Sequence, residues 1–365
     1  MKTRAAVHYT DTPLLALSEL TLDEPQDNEV LVHITATGIC HTDIAVINDQ
    51  IPVPSPVVPG HEGAGVVLRT GKKVTHVQPG DHVVLTLASC GHCHPCTTGR
   101  PTYCAEHQAL NWQAARADGS VSLRDGSHAV HSHFFGQSSF SQYVVADASG
   151  VIKVPADAPL RFLGPFACGF MTGAGAVLNS LSPEAGSSLA VFGTGAVGMA
   201  AIMAARIAGC EPVIAVDINN ERLSAAADAG ATHCINPAET DLMTEINRIT
   251  QGRGVNYSVE SAGHPGVMKN AVQVLAEQGS CVLTGVVAAD AVLPVDIMHL
   301  IRGRTVKGSI MGDAEPSVFI PELVNLFLQG KFPADKFIQF YSFGDINKAI
   351  EDSRSGKCIK AVIEM

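Results

Sequence analysis

No stretch of this 365-residue sequence stays apolar for the ~20 residues that a bilayer-spanning helix needs. The alanine-rich run around residues 196–208 is far shorter and carries Arg206. The amino-terminal MKTRAAVHYTDTPLLALSEL starts with basic residues but contains no continuous apolar run of signal-peptide length. The expectation is therefore a soluble, cytoplasmic chain with no membrane partner. Blocks of lysine and arginine are missing as well, and the formal net charge is −11. Nucleic acid and anionic membrane surfaces are accordingly poor partners. Internal repeats and low-complexity segments are also lacking.

What is present suits a folded α/β protein of two domains: 46% hydrophobic residues, only 16% charged ones, and 34 glycines. The first half reads as short apolar runs between turns, such as EVLVHITATG (29–38), EGAGVVLRTG (62–71) and DHVVLTLA (81–88). That pattern predicts a β-rich, partly closed barrel. Residues 105–142 lack clear periodicity and read as loop with short strands. From about residue 170 strands alternate with helices, beginning with SSLAVFGTGAVGMAAIMAARIAGCEPVIAVDIN (187–219). The predicted sequel is a helix in ERLSAAADAGA, a helix over 241–251, and a helix in HPGVMKNAVQVLAEQGS before the strand CVLTGVV. Such alternation implies a doubly wound parallel sheet. Beyond residue 310 the alternation stops, with a helix expected at 316–330 and a last strand, KAVIEM, folding back onto the first domain.

Within the first βαβ unit, Gly193-Thr-Gly195-Ala196-Val197-Gly198 joins strand to helix. Glycines there let main-chain N–H groups approach a pyrophosphate at the helix N-terminus. Asp217 lies at the end of the next strand, where a carboxylate accepts bonds from ribose hydroxyls and repels a 2′-phosphate. NAD is expected over NADP.

Ten cysteines in a reducing compartment point to thiolate chemistry rather than disulfides. Four of them, Cys90, Cys93, Cys96 and Cys104, crowd into SCGHCHPCTTGRPTYC (89–104). A tetrahedral, closed structural zinc site fits that spacing; an iron–sulfur cluster uses the same four thiolates, and the spacing admits both. His92 and His94 read as surface loop residues. A sparser set comprises Cys40 in GICHTDIAV, His61 and Glu62 in PGHEGAG, and Cys168 in FACGFMTG. Cys40, His61 and Cys168 would make a Cys2His site whose fourth position is left for water or substrate. Cys210, Cys234, Cys281 and Cys358 read as buried packing residues. Trp112 and the phenylalanines near 134–140, 162, 166 and 170 suit either an aromatic pocket or ordinary core.

GHEGAGVVLRTGKKV, CHTD, the four-cysteine lobe, CGFMTG and GTGAVG occur in an order that resembles the zinc-containing medium-chain alcohol dehydrogenases. CHTD, FFGQSSF (134–140) and TGAGAVLNSL (172–181) resemble most the benzyl-, aryl- or allylic-alcohol branch. The resemblance implies a GroES-like β-rich catalytic domain over residues 1–169, a Rossmann NAD-binding domain over 170–309 and a carboxy-terminal part, 310–365, that returns to the first. It implies two zinc ions per chain. Cys40, His61 and Cys168 would hold the catalytic one, with Glu62 able to swing toward it, and Cys90, Cys93, Cys96 and Cys104 the structural one. Asp43 would orient His61, and Thr42 would bind the substrate oxygen and begin the proton path. Thr172 would touch the nicotinamide side and Arg222 would lie near the adenosine ribose. His41 stands where relatives often carry an arginine on the pyrophosphate, and Ala45 where many carry a relay histidine. The implied reaction is reversible oxidation of a primary alcohol to an aldehyde by NAD, in a homo-oligomer (dimer or tetramer). Competing readings are a dehydrogenase for aliphatic alcohols, polyols or a formaldehyde–thiol adduct, a zinc-free quinone or enone reductase, and a non-catalytic zinc- and nucleotide-binding relative.

Overall fold

The computed structural model describes residues 1–10, 12–288 and 290–365. Its first sheet is organised by the strand Glu29–Gly38, which pairs with Gly63–Thr70 along one edge. Along the other edge Tyr143–Asp147 and Lys360–Glu364 follow one another. Paired on both edges, the strand buries nearly every side chain, His33 being its exposed residue. That explains its continuous apolar run, since a strand covered on both faces has no need to alternate. The sheet continues through His82–Leu85 to Val151–Lys153, and on its far side Ile338–Ser342 joins in parallel with Lys360–Glu364. A four-stranded antiparallel sheet of Lys2–Val7, Ala16–Leu22, Leu123–Asp125 and His128–Val130 accompanies it. Leu20, Leu31, Ile39, Ile44, Ile47, Phe140 and Ile363 pack into one core.

The second unit is a six-stranded, all-parallel sheet. Leu189–Phe192 lies between Val213–Val216 and Val255–Glu260, with His233–Ile235 beyond the former, and Leu275–Leu283 and Thr305–Gly308 beyond the latter. Strand order reverses beside Leu189–Phe192, so the crevice at its carboxyl end is where a doubly wound sheet takes ligands.

Two compact units result: Met1–Cys168 with Glu315–Leu328 and Asp335–Met365, and Gly169–Ala314 with Gln329–Ala334. Residues 310–314 stay with the second unit because Asn179 donates to Gly312 O at 3.1 Å and Ser180 to Asp313 at 2.6 Å. Phe332 stays there through its edge-to-face contact with Phe170.

Several boundaries differ from the sequence reading. The helix expected over 241–251 is Leu242–Thr250: Asp241 caps it by accepting from Thr244 N, and Gln251 turns left-handed. The helix in HPGVMKNAVQVLAEQGS ends at Gln273, because Leu275 already pairs with Val255 in the sheet. The last long helix stops at Leu328. Residues 105–142 contain a helix, His107–Trp112, whose six residues are too few to show a helical period. Asn111 ties it down, exchanging hydrogen bonds with both the N–H and the C=O of Ala88. Cys210, Cys281 and Cys358 are buried as expected, but Cys234 is exposed.

Glu29 anchors a buried polar cluster. Its oxygens accept from Arg116 Nε at 2.7 Å, from His133 Nε2 at 3.0 Å and from Gln26 N at 2.7 Å. Burial alone would raise its pKa, but His133, Arg116 and Gln26 N together hold it at about 2. A carboxylate depressed in this way stabilises the fold above its unfolded value and loses that contribution as pH falls through its folded value. Glu29→Gln should cost about 3 kcal/mol at neutral pH, having broken a buried pair. The gap to the parent should close between about pH 4.5 and about pH 2; a gap independent of pH in urea titrations would contradict this.

Candidate active site

The first unit brings four distant residues together. After Gly38 the chain leaves the sheet, and Cys40 opens the short helix His41–Ile47. Asp43, with no solvent exposure, folds back from the first turn. One of its oxygens accepts Cys40 N–H at 3.0 Å, and the other accepts Gly60 N–H at 3.1 Å and His61 Nδ1 at 2.9 Å. That last bond fixes the tautomer, because a carboxylate only accepts; it leaves Nε2 free to ligate. His61 Nε2 is buried without a hydrogen-bond partner. Cys168 is delivered from the opposite side, where Thr86 Oγ1 donates to Ala167 O at 2.8 Å. Ligand atoms of Cys40, His61, Glu62 and Cys168 all lie within 4.8 Å of one another.

The charges reinforce one another. Cys168, donating to the Cys40 sulfur, holds Cys40 well below the ordinary thiol value against the opposing effect of burial, and His61 and Lys360 add to this. Cys168 is pushed well up by Cys40 and by burial. Burial disfavours charge on His61, yet Asp43 and Cys40 override it and raise the imidazole pKa. Burial also pushes Glu62 up, although Lys360 Nζ sits 2.5 Å from its Oε2. Two sulfurs and one oriented, otherwise unpartnered imidazole nitrogen fit a zinc ion as its ligands.

Cys90, Cys93, Cys96 and Cys104 also converge within 4.8 Å. Sulfur–sulfur distances include 3.4 Å for Cys93–Cys96 and 4.0 Å for both Cys90–Cys96 and Cys93–Cys104. A tetrahedron of ~2.3 Å zinc–sulfur bonds has edges of about 3.8 Å, so the set fits one ion. Backbone N–H groups point at the sulfurs: Cys90 N and Glu106 N at Cys104, Cys93 N at Cys90, and Ala105 N at Cys93. Ala105 N and Cys96 N hold Cys93 at about 6, whereas burial and Cys93 push Cys96 up to about 12. His92 and His94 are exposed. The His92 ring is held between Cys90 O and Glu106.

In the second unit the glycine loop follows Leu189–Phe192 and opens the helix Ala196–Ile207. Gly193 adopts φ +86°, and a Cβ on Gly198 would collide with Gly193 O. Loop and helix can therefore touch only with glycine at both places. Gly195 caps the helix without a side-chain bond, and a Cβ there would meet open space. Gly195, Ala196 and Val197 are half-exposed. This is the cradle that a pyrophosphate needs. Asp217 follows Val213–Val216 instead of ending it. Its carboxylate accepts Thr194 N and Oγ1 at 2.7 and 2.9 Å and Asn219 N at 2.9 Å, so it also pins the loop. Arg222, one turn into the next helix, has a buried Nε without a partner.

Among the other expected residues, Thr42 Oγ1 lies 3.7 Å from Cys40 Sγ, and His41 is exposed at the start of its helix. Thr172 is buried in the second unit, with Met311 Sδ 3.9 Å from its hydroxyl. Sequence reasoning gave no role to Gln137 or Lys360, and placed Phe135 only among the phenylalanines suiting an aromatic pocket or core. Gln137, buried, donates to the carbonyls of His61, Leu85 and Thr86 and accepts Gly63 N–H. Phe135, at φ +51°, lies 4.7 Å from the His61 ring and 5.0 Å from Trp112. The signals were a lone amide inside FFGQSSF and a lysine at the head of an apolar strand. Phe134, Phe140, Phe166 and Phe170 are fully buried core.

Gln137→Leu keeps the volume but strands a buried N–H and several carbonyls. With about 1–3 kcal/mol for each unsatisfied group, a loss on the order of 3 kcal/mol is expected. An unchanged urea midpoint would refute the role.

Residues 196–329 match the zinc-binding dehydrogenase family and residues 26–156 the alcohol dehydrogenase GroES-like domain. The chain is 41% identical to a geraniol dehydrogenase of Castellaniella defragrans over 352 residues, 96% of this chain and 94% of that one. A crystal structure of an alcohol dehydrogenase zinc-binding domain protein from Burkholderia ambifaria superposes with a TM-score of 0.98 at 45% identity, covering 100% of this chain and 99% of the other. The crystal structure of benzyl alcohol dehydrogenase from Acinetobacter calcoaceticus gives 0.97 at 41% identity, with the same coverage. Matched at that level over nearly its whole length, the chain belongs to the zinc-containing medium-chain alcohol dehydrogenases.

Proposed function

We propose that this protein oxidises a primary benzylic, aryl or allylic alcohol reversibly to the aldehyde, with NAD as hydride acceptor. The carrying observation is the convergence of Cys40, His61 and Cys168 around an oriented, unpartnered His61 Nε2. Relatives named for geraniol and for benzyl alcohol support that substrate class. Catalytic zinc on these three residues would supply Lewis acidity, lowering the pKa of an alcohol toward neutrality. The second zinc would be structural, on Cys90, Cys93, Cys96 and Cys104.

The chain's own groups then have separable tasks. Asp43 holds the imidazole in its ligating tautomer and direction. Thr42, whose hydroxyl lies 3.7 Å from Cys40 Sγ, would hydrogen-bond the substrate oxygen and take up its proton. Ala45 offers no onward acceptor, so His41 or the cofactor ribose and water carry that proton away. The uncapped helix N-terminus at Gly195, Ala196 and Val197 would bind the pyrophosphate. Asp217 would face the adenosine ribose and repel a 2′-phosphate, which favours NAD over NADP; Thr172 and Arg222 would complete the contacts. No helix among the described residues is long and apolar enough to cross a membrane. A cytoplasmic homo-oligomer completes the proposal.

Metal analysis should find two zinc ions per chain. Cys40→Ser should abolish turnover, leave the fold largely intact and retain one zinc, whereas Cys93→Ser should lower the thermal midpoint, because a closed site contributes folding energy. Equal loss of stability with unchanged activity per folded molecule would refute the assignment. A panel of geraniol, benzyl alcohol, ethanol, sorbitol and hydroxymethylglutathione with NAD and with NADP tests the substrate; equal turnover of all five would count against it. His41→Arg should slow NADH release, since a guanidinium grips a phosphate through two parallel hydrogen bonds; an unchanged dissociation rate would refute it.

A further inference from the structure

Lys360 is a cation almost shut off from water, placed in the first unit beside the metal-binding cluster. It is 2% exposed, and its Nζ has two partners: Glu62 Oε2 at 2.5 Å and the Ile39 carbonyl at 2.9 Å. Glu62 itself has no solvent exposure. Three different segments thereby meet: the strand Lys360–Glu364, the chain just before Cys40, and the residue after His61. A glycine makes room for them. A Cβ on Gly38 would collide with Glu62 Oε2 and come within 3.1 Å of Lys360 Cε. The carboxylate is therefore seated in a pocket formed by the absence of a side chain, with an ammonium closing it.

Glu62 also offers an oxygen within 4.8 Å of the Cys40, His61 and Cys168 ligand atoms. It has a choice of two cations, the ammonium or an ion bound by those three residues. Charge decides between them. Two thiolates neutralise a divalent ion, so a third anionic ligand would leave the centre negative and fill the position a substrate oxygen needs. A buried carboxylate that loses its neutralising ammonium gains from moving to another cation, since burying its charge uncompensated is costly. We propose that Lys360 is a positioning residue that holds Glu62 off the metal and so keeps one coordination position open to the substrate. This inference rests on the metal-site reading above. It adds that metal retention and turnover are set against each other by one lysine acting through one carboxylate.

The test measures how fast zinc leaves the purified holoenzyme into excess EDTA, followed with a zinc-responsive dye, in parallel with kcat. Cys40→Ser and Cys93→Ser identify which release phase belongs to which site. Lys360→Met should slow the Cys40-dependent phase roughly tenfold, the scale on which groups behind metal ligands act, and kcat should fall. In a Glu62→Gln background the same lysine substitution should leave that phase unchanged, because the ligand it releases is gone. Lys360→Arg should restore both readouts toward the parent. Lys360→Gln, which keeps a donor for the Ile39 carbonyl, carries the test if the methionine variant does not fold. An unchanged release rate overturns the proposal. So does equal slowing in both backgrounds, which would mean that the ammonium repels the metal directly. A parent chain yielding only the zinc lost from Cys93→Ser would instead overturn the metal-site reading, and the positioning role with it.

Discussion

A single buried carboxylate fixes the chemistry of the first unit. Asp43 accepts Cys40 N–H, Gly60 N–H and His61 Nδ1, and in doing so joins two segments that each carry a residue of the candidate metal site. A charge with no solvent exposure is tolerable only with its lone pairs satisfied, so the three bonds hold one another in place. The same bonds turn His61 Nε2 toward the two sulfurs. Orientation of the ligand and stability of its surroundings are one arrangement, not two.

Around that point lies a shell of backbone clamps. Gln137 grips the main chain on both sides of Glu62, and Thr86 holds the carbonyl just before Cys168. Phe135 covers the imidazole face from a left-handed backbone position. Lys360 supplies the positive charge that lets a second carboxylate stay buried nearby. The cysteine lobe works differently: backbone N–H groups donate to its sulfurs from within one short stretch, so its geometry is local. The glycine loop of the second unit is local too, apart from Asp217, which pins it from the end of the neighbouring strand.

How legible each feature was follows from that division. The glycine loop and the four-cysteine lobe could be read because their geometry is written into short spacings. The alternation of strands and helices after residue 170 was equally readable, and its errors were confined to ends, where Asp241 acts as a cap and Leu275 is drawn into the sheet. Cys40, His61, Glu62 and Cys168 were found as candidates from their glycine- and polar-rich turns and from resemblance, but no periodicity places them together. Gln137 and Lys360 were not found at all, and Phe135 only as one of several phenylalanines suited to a pocket or to core.

Residue types and short-range spacing thus set the fold class, the donor sets and the glycine turn, because hydrogen-bond geometry within a few residues and apolar periodicity act along the chain. Only the folded sheet decided which lone pair of His61 is free, which cation Glu62 faces and why Gly38 has no side chain. Those outcomes depend on contacts between strands far apart in sequence and on the desolvation of charges, and neither exists until the chain has closed around them.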